Sequence, residues 1–239
     1  MAILSGPAQV FGIDAHETGA DQLHPLGTIG FTLDNRKYVY GKAGATELAP
    51  GKLVVTADAV ANHTNRGVAA AAAGATQVTV TLGATAATAN QYAEGFLVIN
   101  DAAGEGIAYK IASHPAADAS ATLTVTLEDA LQVALTTASE VSLVYNTYDN
   151  VVISATDQAD MAVGVPNVTV TGGYYAWFQV AGRCAVLADE AVNRGLALTI
   201  GSSTAGAEEA LDGAGEPQIG VAVDALVDTE YRAVELTIS

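Results

Sequence analysis

Basic side chains are scarce in this sequence. The 239 residues include nine Lys and Arg against 26 Asp and Glu, which gives a formal net charge of −17. So few cations cannot neutralise a run of phosphates, and the negative field repels both nucleic acid and anionic membranes. The composition therefore predicts a protein whose partners include neither nucleic acid nor a membrane.

Cysteine and long apolar runs are also nearly absent. The single cysteine, Cys184, excludes an intrachain disulfide. No apolar stretch reaches the 18 residues that indicate a membrane-spanning helix. The first residues, MAILSGP, have neither the basic nor the apolar region of a signal peptide. We therefore expect synthesis in a cytoplasm and stability that comes from packing or assembly.

Aromatic and charged residues make up only 6% and 15% of the chain, whereas half of it is hydrophobic and rich in small side chains. Short segments alternate Val or Leu with Thr, most clearly TQVTVTL (76–82) and ATLTVTL (121–127). A period of two residues is typical of strands that bury one face. The only candidate helices are short, at 85–93 and within 155–162. The sequence predicts a mainly β fold.

The segments fall into four regions. Residues 1–27 follow neither the two-residue period of a strand nor the 3.6-residue period of a helix, and we predict that they form an extended N-terminal arm. Residues 28–66 hold the first strands, which we expect to pack with a C-terminal β domain at 148–239. Residues 67–147 form a middle β domain, which ends near the polar break NTYDN. The predicted architecture is two small antiparallel β-barrel or sandwich domains preceded by the arm.

The arm contains isolated apolar side chains between frequent Gly and Pro residues. A structureless loop of this length is uncommon inside a compact domain, so the arm is expected to need a partner to order it. The residues predicted to make that contact are Ile3, Leu4, Val10, Phe11 and Ile13.

The stretch GGYYAWFQVAGRC (172–184) contains four aromatic residues within five positions and the only tryptophan. Alternation predicts that Tyr174 and Phe178 point to one face of a strand, and Tyr175 and Trp177 to the other. Because both faces carry large aromatics, a strand with one solvated side is not expected. Two interpretations follow: core plus subunit interface, or a stacking site for a sugar or peptide. The segment RCAVLAD is predicted to be the returning strand.

The sequence contains no pattern that indicates catalysis, a metal site or a cofactor. His16 and His24 lack the spacing of a zinc motif and lie in a Gly-rich segment. Cys184 lies within an alternating strand, where a small buried side chain is the expected role. We predict that the protein is not an enzyme.

Four segments resemble the capsid decoration, or cement, proteins of tailed bacteriophages. They are QYAEGFLVINDAAGEGIAYKI (91–111), LVYNTYDN (143–150), GGYYAWFQVAGRCAVLADEAVNRG (172–195) and IGVAVDA (219–225). The resemblance covers most of residues 28–239 and consists of strand and turn patterns. It implies a mainly β protein on the outer surface of a phage head, commonly a trimer that bridges subunits of the major capsid protein, without catalytic residues.

In that setting the arm residues are expected to contact the capsid, while Tyr174, Tyr175, Trp177 and Phe178 form the core or trimer interface of the C-terminal domain. The expected role is to stabilise the expanded shell. An alternative is a head fibre or host-glycan-binding module present in few copies. An enzyme such as a polysaccharide hydrolase would need a pair of carboxylates in a cleft, and no motif indicates one.

Overall fold

A computed structural model of the chain describes residues 9–158 and 160–238. Strands make up 41% of the chain and helix 1%, which confirms the mainly β prediction. The only helix among the described residues is one 3-10 turn, Ala61–His63, so none there is long enough to span a membrane. The helix predicted at 85–93 is wrong: Asn90 and Glu94 adopt positive φ angles of 57° and 59°, which interrupt a helix.

The described strands are short, with one exception, and we number them in chain order. They are β1 (Gln9–Phe11), β2 (Thr18–Gly19), β3 (Ile29–Phe31), β4 (Lys37–Lys42), β5 (Val54–Val55), β6 (Arg66–Gly67), β7 (Gln77–Thr81), β8 (Phe96–Asp101), β9 (Ala108–Ser113), β10 (Thr122–Leu127), β11 (Glu140–Val144), β12 (Val152–Ile153), β13 (Ala162–Pro166), β14 (Tyr175–Ala188), β15 (Ala197–Ile200), β16 (Ala207–Ala210), β17 (Gly220–Ala222) and β18 (Tyr231–Thr237).

The chain divides into two compact units. Unit 1 combines residues 1–57 with 147–239, and unit 2 is the continuous segment 58–146. Residues 28–57 thus belong with the C-terminal half of the chain. The sequence prediction placed the first boundary after residue 66, but Arg66 and Gly67 form β6, which pairs with β11 inside unit 2.

Unit 2 is a six-stranded, nearly closed barrel in the strand order β6-β11-β8-β9-β10-β7. The two Thr/Val segments of the sequence are neighbours in it: β7 and β10 pair antiparallel, with Val78 opposite Val125 and Thr79 opposite Thr124. Val78 and Val125 are buried in the core of the unit, whereas Thr79 and Thr124 are half-buried and 3.2 Å apart at their hydroxyls. The predicted alternation is therefore confirmed for these strands.

Unit 1 contains a closed five-stranded barrel formed by β14, β16, β15, β17 and β18. One of its pairs, β14 with β16, is parallel, and the other pairs are antiparallel. Along the other part of β14 the sheet continues through β4, β3 and β1, in that order. Two further strands, β2 and β13, also pair with β14, and β5 pairs with both β13 and β12.

The 14-residue strand β14 connects the two parts of unit 1. The aromatic stretch and RCAVLAD were predicted to be two strands joined by a turn, which is wrong: they form one continuous strand. A register shift against β4 lies between Gln179 and Ala181, and Gly182 adopts a φ of +87°. Because a bulge bends the strand that carries it, we infer a bend in β14 at this point. Its first half pairs with β4 and its second half with β18.

The described part of the predicted arm is not extended away from the unit. β1 pairs with β3, and β2 pairs with the start of β14. Ala15 is buried, and Val10 and Ile13 pack on the cluster around Trp177. The expectation that residues 9–27 need a partner to order them is therefore wrong, because this segment finds its apolar contacts within its own unit. Ile3 and Leu4 lie outside the described residues.

Candidate interaction surface

The two faces of the aromatic stretch enter two different cores of unit 1. Trp177 is fully buried with Tyr38, Tyr40 and Ala15. Phe178 is fully buried in a separate cluster with neighbours that include Val39. The predicted alternation is confirmed, but both faces are covered by the chain itself. Trp177 and Phe178 therefore form core and have no surface left for a subunit interface.

The N-terminal segment covers Trp177. The indole Nε1–H donates a hydrogen bond to Glu17 Oε2 at 3.0 Å, and the ring of His24 lies 5.3 Å from the indole, centre to centre. Gly30 allows the close approach of β3, because a β-carbon there would lie 2.7 Å from the indole ring. The segment thus excludes water from the largest aromatic side chain and satisfies its only polar group.

The other two aromatics of the stretch lie closer to solvent. Tyr174 is 37% exposed. Tyr175 is half-buried, stacks on Tyr40 at 5.9 Å between ring centres, and lies beneath the Lys42 ammonium, 5.5 Å from the ring centre. Of the four residues predicted to form core or trimer interface, two are core, and Tyr174 is the one with substantial exposed surface.

A small apolar surface lies beside the covered tryptophan. Phe11 is 74% exposed and stacks on Phe31 with 5.3 Å between ring centres. Leu33, in the turn between β3 and β4, is 94% exposed, and its Cδ2 would lie 3.9 Å from a β-carbon at Gly12. We call Phe11, Phe31 and Leu33 the edge patch. Phe11 and Leu33 are the two most exposed large apolar side chains among the described residues.

The edge patch lies at the end of the unit 1 sheet. Among the described strands β1 pairs only with β3, so its other side presents backbone groups without a strand neighbour. Unpaired strand edges and exposed apolar clusters are both features of surfaces that bind other chains. Sequence analysis selected Phe11 for this role, but it missed Phe31 and Leu33, which reach the same place through the β3–β4 hairpin.

Cys184 is buried and has no nucleophilic character. Burial raises the pKa of its thiol to about 12, so the thiolate is not populated near neutral pH. The thiol lies above a buried polar network in which the Tyr38 hydroxyl and the Asn167 amide donate to Gln179 Oε1 at 3.1 and 3.2 Å. The predicted role of Cys184 as a small buried side chain is confirmed.

Two buried histidines in unit 2 were missed by sequence analysis. His63 Nδ1 is hydrogen-bonded to the Tyr92 hydroxyl at 2.5 Å, and the Tyr92 backbone N–H donates to His114 Nε2 at 3.0 Å. Burial lowers the pKa of His114. In the described part of the chain no three His, Cys, Asp or Glu side chains are grouped so that they could hold a metal ion. These histidines are satisfied core residues.

No family model matches this chain. Comparisons with curated proteins and with solved structures also find no significant match. The likeness to capsid decoration proteins therefore stays a prediction from the sequence, and functional argument depends on the surface and charge of the molecule.

Proposed function

We propose that this protein is a non-enzymatic structural component of a tailed-phage virion that binds the outer surface of the head. In this proposal it acts as a trimer, bridges neighbouring subunits of the major capsid protein and stabilises the expanded shell. The observation that carries the proposal is the edge patch, which presents exposed Phe11 and Leu33 beside an edge of β1 that pairs with no other described strand, in a strongly acidic chain.

The patch has the chemistry of a protein-binding surface. Aromatic side chains are enriched at interfaces, and a strand edge can add backbone hydrogen bonds to the apolar contact. The patch is small, so a single copy binds weakly. A trimer presents three patches at once, and the second and third contacts gain from a high effective concentration. Weak contacts of this kind suit a protein that clamps a repeating shell.

The charge supports a position outside the head. A net charge of −17 repels packaged or released nucleic acid and keeps a protein present in many copies soluble. The alternative, a head fibre or glycan-binding module, gains no support from the aromatic stretch. Trp177 and Phe178 are fully buried, so neither ring is available to stack on a sugar.

Copy number separates the two functions. Quantitative mass spectrometry of purified virus particles from the source should find this chain in numbers comparable to the major capsid protein. A few copies per particle would favour the fibre or glycan-binding role instead. Absence from the particle would overturn both.

The edge patch is tested by replacing Phe11 and Leu33 together with serine. Binding to expanded heads, measured by co-sedimentation, should weaken about tenfold or more, because central interface side chains carry most of the binding energy. Thermal stability should change little, since both side chains are exposed.

The matched control is Leu196→Ser, which removes an apolar side chain that is 48% exposed outside the patch. It should bind heads like the unchanged protein. Equal binding by the double variant and the unchanged protein would show that the patch does not contact the capsid.

A further inference from the structure

Unit 1 contains a second surface feature, an open pocket of about 760 Å³. Its base and walls come from the middle of β14, the start of β18, the turn at 49–51 and the β3–β4 hairpin. Arg36, Arg183 and Arg232 all line it, so three of the nine basic side chains of the whole chain meet in one concavity. We call it the arginine pocket.

The arginines retain unused hydrogen-bond donors. Arg36 contacts Asp34 through Nε at 2.9 Å, and Arg183 contacts Glu235 through Nε at 3.5 Å. A guanidinium has five N–H groups in a planar fork. Within residues 9–158 and 160–238 these ion pairs use Nε and no acidic side chain contacts the terminal nitrogens, so these nitrogens can make the paired N–H contacts that match a carboxylate.

Arg232 adds a third guanidinium to the same wall. Its Nη2 contacts Glu230, and its Nε is buried with no acceptor among the residues that the structure describes. Because each arginine already has one acidic neighbour, the pocket is close to neutral overall. A singly charged group gains hydrogen bonds there without a large opposing field, whereas the acidity of the whole chain disfavours a polyphosphate or nucleic acid.

The floor of the pocket is fixed before any ligand binds. Gln179 is fully buried, and its Nε2 donates to the backbone oxygen of Arg183 at 2.9 Å. Its Oε1 accepts from Asn167, which also lines the pocket. These bonds hold the backbone that carries Arg183, so little ordering is needed on binding.

His16 also lines the pocket, and the remaining walls are largely apolar. Pro50, Ala185, Ala233 and the ring of Tyr231 line the pocket, and Tyr231 packs against Gly51, where a β-carbon would lie 2.7 Å from the ring. A pocket of this volume, mostly apolar with a few convergent polar groups, has the usual form of a ligand site.

We propose that the arginine pocket binds a carboxylate carried on a small apolar scaffold, with the carboxylate on the guanidinium forks of Arg36 and Arg183 and the scaffold against Pro50 and Tyr231. Two sources supply this chemistry: a free carboxylic acid, or a Glu or Asp side chain of another protein chain. The proposal does not depend on a role in a virion.

The test uses the full-length protein and two labelled tetrapeptides that differ only in a central glutamate or glutamine, with affinity measured by fluorescence anisotropy. The glutamate peptide should bind about tenfold or more tightly than the glutamine peptide, because only the carboxylate makes charge-assisted bonds to both forks. Its affinity should fall as salt increases.

Competition with succinate distinguishes a free carboxylic acid from a protein segment as the source of the carboxylate. Displacement of the peptide at similar concentrations favours a free acid, and weak displacement favours a protein segment.

Arg183→Gln should weaken binding of the glutamate peptide about tenfold or more. Arg194→Gln is the matched control, because Arg194 is exposed and does not line the pocket, and it changes the net charge equally. Arg183→Lys keeps the positive charge but loses the planar guanidinium fork, so this variant should bind the glutamate peptide with intermediate strength. Intermediate binding would also show that the loss in Arg183→Gln is not caused by misfolding. Equal affinity for both peptides, or equal weakening by Arg183→Gln and Arg194→Gln, would overturn the proposal and leave the proposed virion function untouched.

Discussion

At the scale of single residues, Glu208 on β16 is the most unusual side chain of unit 1. It is fully buried, and both carboxylate oxygens lack a hydrogen-bond partner among the described residues. A charge in that position is costly, so burial raises the pKa of Glu208 to about 8. The folded protein therefore holds this carboxyl in its protonated form at neutral pH.

This pKa makes stability depend on pH in a definite direction. In the unfolded chain Glu208 ionises near its ordinary value of 4.5, whereas in the folded chain it keeps its proton up to about 8. Between these values the folded state binds more protons than the unfolded state, so the free energy of unfolding falls as pH rises. The contribution of the Glu208 carboxyl to stability is fully present below pH 4.5, declines as the pH rises, and is lost above about pH 8.

We predict that Glu208→Gln removes this dependence. At pH 5 the variant should unfold at nearly the temperature of the unchanged protein. At pH 8.5 it should unfold on the order of 10 °C higher, because raising the pKa from 4.5 to about 8 costs the folded state about 4–5 kcal/mol, and 1 kcal/mol moves Tm by about 2–4 °C in chains of this size. Calorimetry at several pH values measures this.

Glu47→Gln is the control for that experiment, because Glu47 is exposed in the same unit. It should leave the slope of Tm against pH between 5 and 8.5 unchanged. The same slope in Glu208→Gln would mean that the Glu208 carboxyl is not protonated in the folded state.

At the scale of elements, β14 determines the organisation of unit 1. The bend near Gly182 lets one strand contribute Phe178 to the core beside β4 and Val186 to the core of the barrel. Two separate strands, as the sequence suggested, would need a turn and a change of neighbour at the same place. A glycine with φ of +87° allows the strand to continue through the bend.

Gly182→Ala should therefore destabilise the protein by about 1–3 kcal/mol, because a residue with a side chain is strained at this φ. The new β-carbon would also lie 3.1 Å from Cγ of Arg36. Urea unfolding followed by tryptophan fluorescence measures the loss, since Trp177 lies in the same strand.

Gly19→Ala is the matched control. Gly19 does not have a positive φ, and no atom lies within 4 Å of the added carbon, so the stability of this variant should change little. Equal stability of the two variants would show that the bend tolerates a side chain.

At the scale of the whole molecule, the two units differ in how the chain builds them. Unit 2 is one continuous segment with its own core, and unit 1 needs residues from both sides of it. A continuous segment with a complete core can fold without the rest of the chain.

We predict that a fragment of residues 58–146 folds cooperatively on its own. Circular dichroism and urea unfolding should show a single transition for this fragment. A fragment of residues 67–147, the middle domain predicted from the sequence, lacks His63 and Arg66. It should be less stable by about 1–3 kcal/mol, because Tyr92 loses a buried hydrogen-bond partner. Equal stability of the two fragments would place the boundary of the folding unit at residue 67 and not at residue 58.

The sequence predicted features that repeat over short distances. Alternation in 76–82 and 121–127 gave strands with the correct buried face, and alternation in the aromatic stretch gave the two faces of Trp177 and Phe178 correctly. The buried group of His63, Tyr92 and His114 was not predictable in this way. Its members are 29 and 22 residues apart and only a closed barrel brings them together.

By itself the sequence determined the mainly β class, the acidic surface and the burial of the aromatic strand, because composition and a period of two act locally along the chain. The tertiary structure decided what covers that strand. Glu17 and Gly30 are far from Trp177 in sequence, and nothing in their spacing identifies them as its neighbours. Covering the indole with residues 9–31 of the same chain leaves Phe11 and Leu33 at the sheet edge, since a segment that buries one face exposes the other. The arginine pocket arises in the same way, from pairings between strands that are distant along the chain.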